Sequence, residues 1–455
     1  MMQHSRWHLG RRRRALLATG ATVAAASLIL AGCASSSAAP SAGGLGTAED
    51  PVEITLLSND AYASQWQDQL VPEFQKEFPN IKVTIDGVPY NDQLAKNMLE
   101  LSGTRPAYDV VMADDNWIPQ MASTGGLVDL QGEVDQWTFE DYDWDDFYSA
   151  PLAAGEWDGV QYGVPARSNM LMMLYNKSHF DAAGLDYPDE NTTWDEFMQM
   201  MPALVQDLDG DGATDAWGVG TYFVRDSLTP TIWQTIMDSN GGAILNEDGE
   251  PELGKKAVEA LKIHASLLDF APPGAKSWQF TEPLEGFRQG KIATMFNWGS
   301  VYRGSAVDPT TTTLTADQVG ITTLPHGTET PGAHRGVWSL ALNKKSENLE
   351  AAWTFVQWMT SKKGEAWQVE NLGVFPARVS TLEADAPTDW LEPVYYALDV
   401  AWRAVEDGEM WRPRLVESDA VQQILADYTG EVIPGNMPAD EAVNKMTKEI
   451  TDLVG

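Results

Sequence analysis

An alternation of strand and helix patterns near the start of the folded chain is the feature that most limits its architecture. Residues 52–57 favour a strand, and residues 81–85 alternate apolar and polar side chains, as a half-buried strand does. Between them, large apolar side chains recur at the spacing of one helix face: Trp66, Leu70, Phe74 and Phe78. A second helix pattern precedes a strand at residues 109–112. This order predicts an α/β fold in which helices cover a parallel sheet.

The carboxyl ends of the predicted strands carry polar and aromatic residues. The first strand is followed by Ser58-Asn59-Asp60, and the third by Asp114-Asp115-Asn116-Trp117. Ligands bind beyond such strand ends in parallel sheets, so both segments suit a hydrogen-bonding site. Ordinary turns have the same composition, and a purely structural turn stays open as the alternative. We expect Asp109, before the third strand, to anchor backbone and not ligand.

A series of stretches, in chain order, resembles the family 1 extracellular solute-binding proteins, the sugar-binding components of ABC importers. They are the segments 109–130, YGVP at 162–165, LYNKSHFDAAGL at 174–185, TWDEF at 193–197, GKIATM at 290–295, the block 338–356, and GVFPAR at 373–378. Within TWDEF, Thr193 is placed to cap a helix whose first turn carries two acids. The resemblance spans nearly all of the chain after its first 50 residues.

This resemblance implies a type II periplasmic-binding-protein fold, in which three crossing segments join two α/β lobes around a ligand cleft. We expect the crossings near residues 164–172, 336–342 and 372–378. The N-terminal lobe would then comprise residues 50–167 plus 341–374. The C-terminal lobe would comprise residues 168–340 plus 375–455. Family members close around the ligand by a hinge, and the importer recognises the closed form.

A sugar site combines flat aromatic rings, which pack on C–H faces, with polar side chains that bind hydroxyls. The strand ends and the family's ligand loops together give candidates on both lobes. On the first lobe they are Tyr62, Gln65, Asp114, Asp115 and Trp117, and on the second Tyr222, Trp233, Asn297, Trp298 and the Gly336-Val337-Trp338 turn. Arg378 and Arg414 are candidates from the last segments. We expect Trp66 and Trp353 to be core residues, and Trp411 to pack at the hinge.

A short acidic segment resembles the front of a calcium-binding loop. Acids stand at relative positions 1, 3, 5 and 9, with Gly212 at position 6: Asp207, Asp209, Asp211 and Asp215. Position 12 is Gly218 and not the bidentate Glu of the full motif. The segment therefore predicts a structural calcium site, with a solvated acidic turn as the alternative. We expect no other cofactor.

The first residues resemble a bacterial lipoprotein signal peptide. Arginines at 6 and 11–14 precede an apolar stretch that ends in Leu30-Ala31-Gly32-Cys33, similar to a lipobox. We expect residues 1–32 to be removed, Cys33 to be lipidated, and residues 33–49, rich in Ser, Ala and Gly, to be a flexible tether. Cys33 is the only cysteine, which excludes a disulfide within the chain. The expected location is extracytoplasmic, anchored to the bacterial membrane.

The charge of the chain limits its partners. With 30 basic and 66 acidic residues the net charge is −36, which excludes nucleic acid as a partner. The same charge disfavours an anionic ligand, unless a local pocket has a different charge from the surface as a whole. After the signal, no apolar run approaches the ~18 residues of a membrane span. We expect a monomer that binds a small carbohydrate and delivers it to the transmembrane subunits of an importer.

Other functions are weaker alternatives. The chain has no serine-centred elbow, HExxH sequence or phosphate loop, so we expect no enzyme. A glycoside hydrolase, which needs two carboxylates flanking a bond, and a surface lectin stay as remote alternatives. The 18 tryptophans favour a sugar, and a polyol or glycerol derivative is the alternative ligand within the same transporter class.

Overall fold

The computed structural model describes residues 44–246, 249–327, 334–384, 388–404 and 412–455. The predicted signal peptide, Cys33, most of the predicted tether and Trp411 lie outside these residues. In the described ranges the strands are β1 Val52–Asn59, β2 Ile81–Val88, β3 Val110–Asp114, β4 Glu156–Trp157, β5 Val160–Gln161, β6 Gly163–Asn176, β7 Trp217–Gly220, β8 Ile292–Trp298, β9 Val319–Thr322 and β10 His334–Leu342.

Eight of these strands form one mixed sheet in the order β2-β1-β3-β10-β6-β8-β7, with β9 also paired to β6. β1 pairs in parallel with β2 and β3, as the strand and helix pattern predicts. The two central strands, β6 and β10, run antiparallel to each other, and β10 is also antiparallel to β3. The carboxyl end of β3 therefore lies beside the middle of β10.

Helices alternate with the strands and cover the sheet. Their bounds are α1 Asp60–Gln65, α2 Val71–Glu77, α3 Tyr90–Ser102, α4 Ile118–Ser123, α5 Ser149–Ala153, α6 Lys177–Ala183, α7 Trp194–Met200, α8 Thr229–Ser239, α9 Lys255–Leu267, α10 Thr281–Arg288, α11 Tyr302–Ala306, α12 Leu349–Met359, α13 Lys362–Leu372, α14 Val379–Leu382, α15 Glu392–Ala404, α16 Ser418–Val432 and α17 Ala439–Val454. In the described part of the chain, no helix is both long and apolar enough to cross a membrane.

Several local predictions are confirmed. Residues 66–70 form a π-helical turn that joins α1 to α2, and the predicted apolar face of this helix is buried at Trp66, Leu70 and Phe74. Thr193 caps α7, and the side chain of Glu196 accepts a hydrogen bond from Thr193 N, which completes a capping box. The carboxylate of Asp109 accepts hydrogen bonds from Thr55 N and from other groups, so it holds the backbone as expected.

The buried apolar side chains form several separate cores, and the two central strands each contribute to more than one of them. One core contains Val164 and Ala166 of β6, whereas Leu171 and Met173 of the same strand belong to another. β10 likewise changes core, from Val337 to Leu340. Both central strands thus pass from one set of cores to the other, at the positions where crossing segments are expected. The lobe boundaries themselves stay a prediction.

The segment 372–378 lies at the same junction. Phe375 forms an isolated bridge with Ser168 of β6, and Tyr148 N donates a hydrogen bond of 2.9 Å to Ala377 O. Gly299, after β8, is packed so closely that a β-carbon there would lie 2.5 Å from the Phe375 ring. The chain therefore has three segments at the place where its cores meet.

Candidate ligand-binding site

The register of the three central strands brings site residues together. Trp338 of β10 is paired with Asp114 of β3 on one side and with Arg167 of β6 on the other. An aromatic, an acid and an arginine thus lie next to each other across the sheet, although they are far apart in sequence. Asp114 and Trp338 are predicted site residues, and the sheet places them in contact range.

Four aromatic rings lie together at this point, and we call them the aromatic group: Tyr62, Tyr90, Trp117 and Trp338. Trp338 is its centre, because its ring lies 6.1 Å from Tyr62, 5.8 Å from Tyr90 and 5.5 Å from Trp117, edge to face in each case. Such edge-to-face pairs are favourable and hold the rings in fixed orientations. Trp117 is almost completely buried, whereas Trp338 and Tyr62 keep part of their surface exposed.

Two carboxylates and an arginine form the polar side of the site. Arg412 donates to both oxygens of Asp114, at 2.8 and 2.7 Å, and its Nη2 also contacts Asp115. Tyr90 OH donates to Asp114 Oδ2 at 3.0 Å, which connects the carboxylate to the aromatic group. The contact between Arg412 and Asp115 is a close ion pair without a well-directed hydrogen bond.

Burial determines the ionisation of these groups. It raises the pKa of Asp115, and Arg412 opposes this shift while the neighbouring Asp114 adds to it. Burial disfavours the Arg412 cation, but the two carboxylates outweigh it, so the pKa of Arg412 is raised. Burial, reinforced by Asp114, also raises the pKa of Tyr90 well above its usual value, which keeps its hydroxyl protonated as a donor.

Many buried polar atoms around these groups have no hydrogen-bond partner among the described residues. They are Asn116 Oδ1, Arg167 Nη1, Ser168 Oγ, both ring nitrogens of His334, Arg335 Nε and Nη2, Ser339 Oγ, Arg412 Nε and Arg414 Nε. A buried polar atom without a partner costs about 1–3 kcal/mol, and most such atoms are paired in proteins. Most of them lie on β6, on β10 or just after β3, so this part of the sheet has unused hydrogen-bond donors and acceptors.

Trp298 approaches the same strands from the carboxyl end of β8. It is paired with Leu171 of β6, and its ring lies 5.9 Å from His334, edge to face. A β-carbon on Gly336 would lie 2.8 Å from the ring, so the glycine makes room for it. Trp298 keeps part of its surface exposed. Asn297 accepts hydrogen bonds from Trp298 N at 2.8 Å and Tyr222 OH at 2.7 Å, which fixes the end of the strand.

Three predicted site residues are corrected by the structure. Trp233 is completely buried between α8 and α9, and its Nε1 donates to Ala257 O at 2.9 Å. Tyr222 is also completely buried and supports Asn297. Arg378 is completely buried and donates to Thr360 O at 2.7 Å, Tyr142 O at 3.0 Å and Asp146 at 3.1 Å, so its guanidinium holds loops together. None of these side chains offers a surface to a ligand.

The residues next to Tyr222 and Trp233 carry the unpaired polar atoms instead. Thr221 Oγ1 and both amide atoms of Gln234 are buried and without a partner in the described ranges. The polar atoms that could still accept or donate in these segments thus lie one residue away from the predicted side chains. Neighbouring side chains point in different directions in strands and helices, and the sequence alone does not specify which one is buried.

The remaining predicted residues have mixed positions. Arg414 donates to Ala154 O at 3.3 Å and to Ala153 O and Glu156 O, and its charge acts on Asp115. Gln65 is half-buried at the end of α1, outside the contacts described for the site. Its role in binding stays a prediction.

Sequence reasoning missed Tyr90, Arg167, Arg335 and Arg412. Arg412 belongs to the segment Trp411-Arg412-Pro413-Arg414, in which only the outer two residues attracted attention. Arg335 directly precedes the predicted Gly336 turn. Both were detectable as arginines within candidate segments. Arg167 likewise lies in the predicted crossing segment 164–172, whereas Tyr90 had no such signal, because helix α3 brings it to the site through the fold.

The acidic loop lies apart from these groups, between a 3-10 helical turn at Met201–Leu204, after α7, and strand β7. The carboxylates of Asp207, Asp209 and Asp215 have oxygens within 4.8 Å of one another. Asp211 lies outside this group, and its carboxylate accepts a hydrogen bond of 2.7 Å from Ala213 N. Three of the four predicted ligands thus come together on the surface, and calcium binding stays a prediction.

The comparison with known proteins agrees with this geometry. The family of bacterial extracellular solute-binding proteins matches residues 59–366, and the chain belongs to this family. It is 25% identical over 341 residues to a binding protein of Brucella abortus, with 73% of this chain and 78% of that protein covered. It is also 25% identical to the erythritol/L-threitol-binding protein of Mycolicibacterium smegmatis, with 72% and 71% covered.

A solved structure supports the same fold. An ABC transporter solute-binding protein from Agrobacterium radiobacter, crystallised with ribitol, aligns with a TM-score of 0.76 at 27% identity. The alignment covers 90% of this chain and all of that one. The fold is therefore the two-lobed α/β binding-protein fold that the sequence motifs imply, and proteins of this family serve ABC importers outside the cytoplasm.

Proposed function

We propose that this chain is a lipid-anchored, extracytoplasmic protein that captures a sugar and delivers it to an ABC importer. The observation that carries the proposal is the concentration of unpaired buried polar atoms beside the aromatic group. A sugar has an apolar face for a ring such as Trp338 and a hydroxyl rim for Asp114, Asp115 and the neighbouring amides.

A polyol is the alternative ligand. One relative binds erythritol or L-threitol, and one structural neighbour holds ribitol. Open-chain polyols present the same hydroxyls but no rigid ring face. The aromatic group, with three rings around Trp338, favours a cyclic sugar over an open-chain polyol. The C–H face of a sugar ring covers more of a flat aromatic ring than a flexible chain does.

Hinge closure is part of the proposal. Arg412, after α15, reaches Asp114 at the end of β3, so the site combines residues from both ends of the chain. A ligand that contacts both lobes stabilises the arrangement in which they are close together. The importer would then distinguish loaded from empty protein by shape.

We also propose binding without catalysis. A glycoside hydrolase places its two carboxylates on opposite sides of a bond, about 5–9.5 Å apart. Here Asp114 and Asp115 contact the same Nη2 of Arg412, so they share one side of the site. This arrangement favours hydroxyl binding over cleavage.

The lipid anchor is proposed at Cys33, on the lipobox resemblance alone. A single acylated residue followed by a flexible segment would hold a monomeric binding body close to its importer. Metabolic labelling with a lipid precursor tests this directly. The parent should incorporate label, and Cys33→Ser should not. Label in the variant would place the modification elsewhere.

The main experiment is a thermal-shift screen of mature protein against sugars and polyols, followed by calorimetry. A ligand with a dissociation constant near 1 μM, used at about 100 times that concentration, should stabilise the fold by about 2.7 kcal/mol. Binding of one soluble sugar supports the proposal. Binding of polyols alone selects the alternative, and binding only of polymers or cell surfaces selects a lectin. The control is Arg225→Gln, which alters an exposed ion pair to Asp427 and should bind like the parent.

A further inference from the structure

Four arginines surround the site, and only one of them is paired with an acid of the described residues. We call Arg167, Arg335, Arg412 and Arg414 the arginine set. Arg412 pairs with Asp114 and Asp115. For the other three, no carboxylate among the described residues lies within the 4.0 Å of an ion pair. Such unpaired guanidinium groups are uncommon in protein interiors, because a buried charge without a counter-charge is costly.

The three unpaired members rest on neutral partners. Arg335 donates to Ala150 O at 2.7 Å, at α5, and Arg414 donates to carbonyls that follow this helix. The guanidinium carbon of Arg167 lies 4.1 Å above the centre of the Tyr62 ring. Carbonyl oxygens and an aromatic face reduce the cost of burying a cation but do not cancel its charge. Each of the three also keeps a buried N–H group without a partner.

The negative charge of the nearby acids does not balance the positive charge of the arginine set. Asp114 and Asp115 are buried, and the third acid, Glu156, acts on Arg414 from an exposed position. His334, the other titratable group here, is held neutral, because burial and then Arg412 and Arg335 lower its pKa well below the usual value. Four cations therefore face two buried carboxylates, and the site keeps a net positive charge.

The ionisation of the arginines agrees with this imbalance. Burial lowers the pKa of Arg335 to about 10, partly offset by Asp115. Burial also lowers the pKa of Arg167 and of Arg414. All three nevertheless remain cations at neutral pH, so the charge persists under physiological conditions.

We propose that the natural ligand is an acidic carbohydrate, a polyhydroxylated molecule that carries a carboxylate or a phosphate. This inference rests on the proposed function and narrows its substrate class. Guanidinium groups match the oxygens of both anions in pairs. The anion would use unpaired N–H groups of the arginine set, and hydroxyls of the same molecule would bind Asp114 and Asp115. The aromatic group would contact its carbon skeleton.

The acidic surface of the chain does not oppose this ligand inside the site. The net charge of −36 acts mainly from exposed residues. At physiological ionic strength exposed charges are screened beyond about 8 Å, whereas buried charges are screened much less. Over the few ångströms between ligand and guanidinium groups, the arginine set therefore dominates.

Calorimetry with matched ligands tests the inference. Each set contains a neutral compound, its carboxylate and its phosphate: glucose, glucuronate and glucose 6-phosphate; ribitol, ribonate and ribitol 5-phosphate. We expect one acidic member to bind at least about tenfold more tightly than its neutral counterpart. The carboxylate and phosphate arms show which anion is preferred. A neutral compound that binds as tightly as its acids overturns the inference and leaves the proposed function intact. If no member binds, and the wider sugar and polyol screen is also negative, both are overturned.

A variant locates the effect. Arg167→Gln removes a charge that has no acid partner, so it leaves no carboxylate unpaired in the interior. It should weaken the preferred acid at least about tenfold more than it weakens the neutral counterpart, because only the acid loses a counter-charge. Arg225→Gln, at an exposed ion pair, should keep the full preference. Arg335→Gln is measured in parallel, in case one variant does not fold. If every folded variant of the arginine set retains the preference for the acid, the assignment to these arginines is wrong.

Discussion

Trp338 shows how one residue obtains its role from three strands. Its pairing with Asp114 and Arg167 places a ring between an acid and an arginine, and three other rings keep its orientation. The exposed part of the Trp338 ring is available to a ligand, and the contacts with the other three rings hold the ring in position.

We expect Trp338→Ala to weaken sugar binding about tenfold or more, because one ring contact contributes on the order of 1 kcal/mol beyond its buried area. Trp298→Ala should have a similar effect. Titration calorimetry on the mature variants measures both. Trp390→Ala, which removes a ring stacked on Tyr302 outside the aromatic group, is the matched control. If Trp298→Ala and Trp338→Ala both bind like the parent, the site assignment is wrong.

His264 makes stability depend on pH. Its ring is completely buried, with Nε2 3.0 Å from Tyr222 O, and burial lowers its pKa to about 4. Between pH 6.5 and 4 the unfolded chain therefore binds more protons than the folded one, so stability falls as pH falls. From pH 7 to 5 this group should cost about 2 kcal/mol. His264→Gln should lose less stability than the parent over this range, measured by urea unfolding. Equal losses would assign the acid sensitivity to other groups.

Sequence reasoning identified site segments better than site side chains. Asp114, Asp115 and Trp117 follow a strand, and strand ends are recognisable from the pattern alone. Trp233 is of a residue type that often binds sugars, but it is packed in the core. The neighbouring Gln234 has the two buried amide atoms without a hydrogen-bond partner among the described residues. Periodicity in α8 does not resolve this difference, because nearly every residue of that helix is buried. Only tertiary packing does.

Among the elements, the polar inner face of α3 differs most from the sequence pattern. Leu94, Met98 and Leu101 mark this helix in the sequence, but Gln93 and Asn97 are completely buried together with Leu101. Both amides donate to Met112 O at 2.9 Å. The helix is thus fixed to the last residues of β3 by hydrogen bonds, which holds Asp114 in position. A buried amide is invisible to a hydrophobic pattern unless its partner is known.

The contact between the Trp298 ring, at the end of β8, and Gly336 of β10 gives a second test of the site. In Gly336→Ala the new β-carbon would lie 2.8 Å from Trp298 Cζ3, well inside the usual 3.5–4.0 Å between carbon atoms. The ring must therefore move, and we expect weaker ligand binding at a stability cost of about 1–3 kcal/mol. Gly254→Ala, whose nearest contact would be Glu252 O at 3.8 Å, is the control. Unchanged affinity in a folded Gly336→Ala protein would exclude a role for the Trp298 ring.

The acidic loop allows a direct test of calcium. Asp207 accepts hydrogen bonds from Gly210 N and Gly212 N, and Asp215 accepts one from Leu208 N, so the loop is ordered by its own carboxylates. If it binds calcium, the melting temperature should be higher in calcium than in chelator, because an ion that binds only the folded chain stabilises it. Asp209→Asn should remove most of the difference. Equal melting of the parent in both conditions would leave a solvated turn as the explanation.

On the scale of the whole molecule, the fold follows from the order of its motifs more than from any single one. Parallel β1, β2 and β3 come from local strand and helix patterns. The antiparallel pairing of β6 with β10 joins segments about 170 residues apart, and the family resemblance implied only that crossing segments lie there. Local propensity contains no information on such pairings, and this is the reason that Arg167 was missed.

Strands β6 and β10 each run from one set of cores to the other, so movement at these strands would bring the two lobes together. We therefore expect the ligand to cause closure. A compact body of this length has a radius of gyration of about 22 Å. A ligand that contacts residues of both lobes should favour the closed arrangement, so X-ray scattering should show a smaller radius with the sugar that calorimetry identifies. Far-ultraviolet circular dichroism should not change, because closure moves lobes and does not form helices. A sugar that fails to bind is the matched control. If the sugar binds with full affinity and the radius is unchanged, delivery to the importer does not depend on closure.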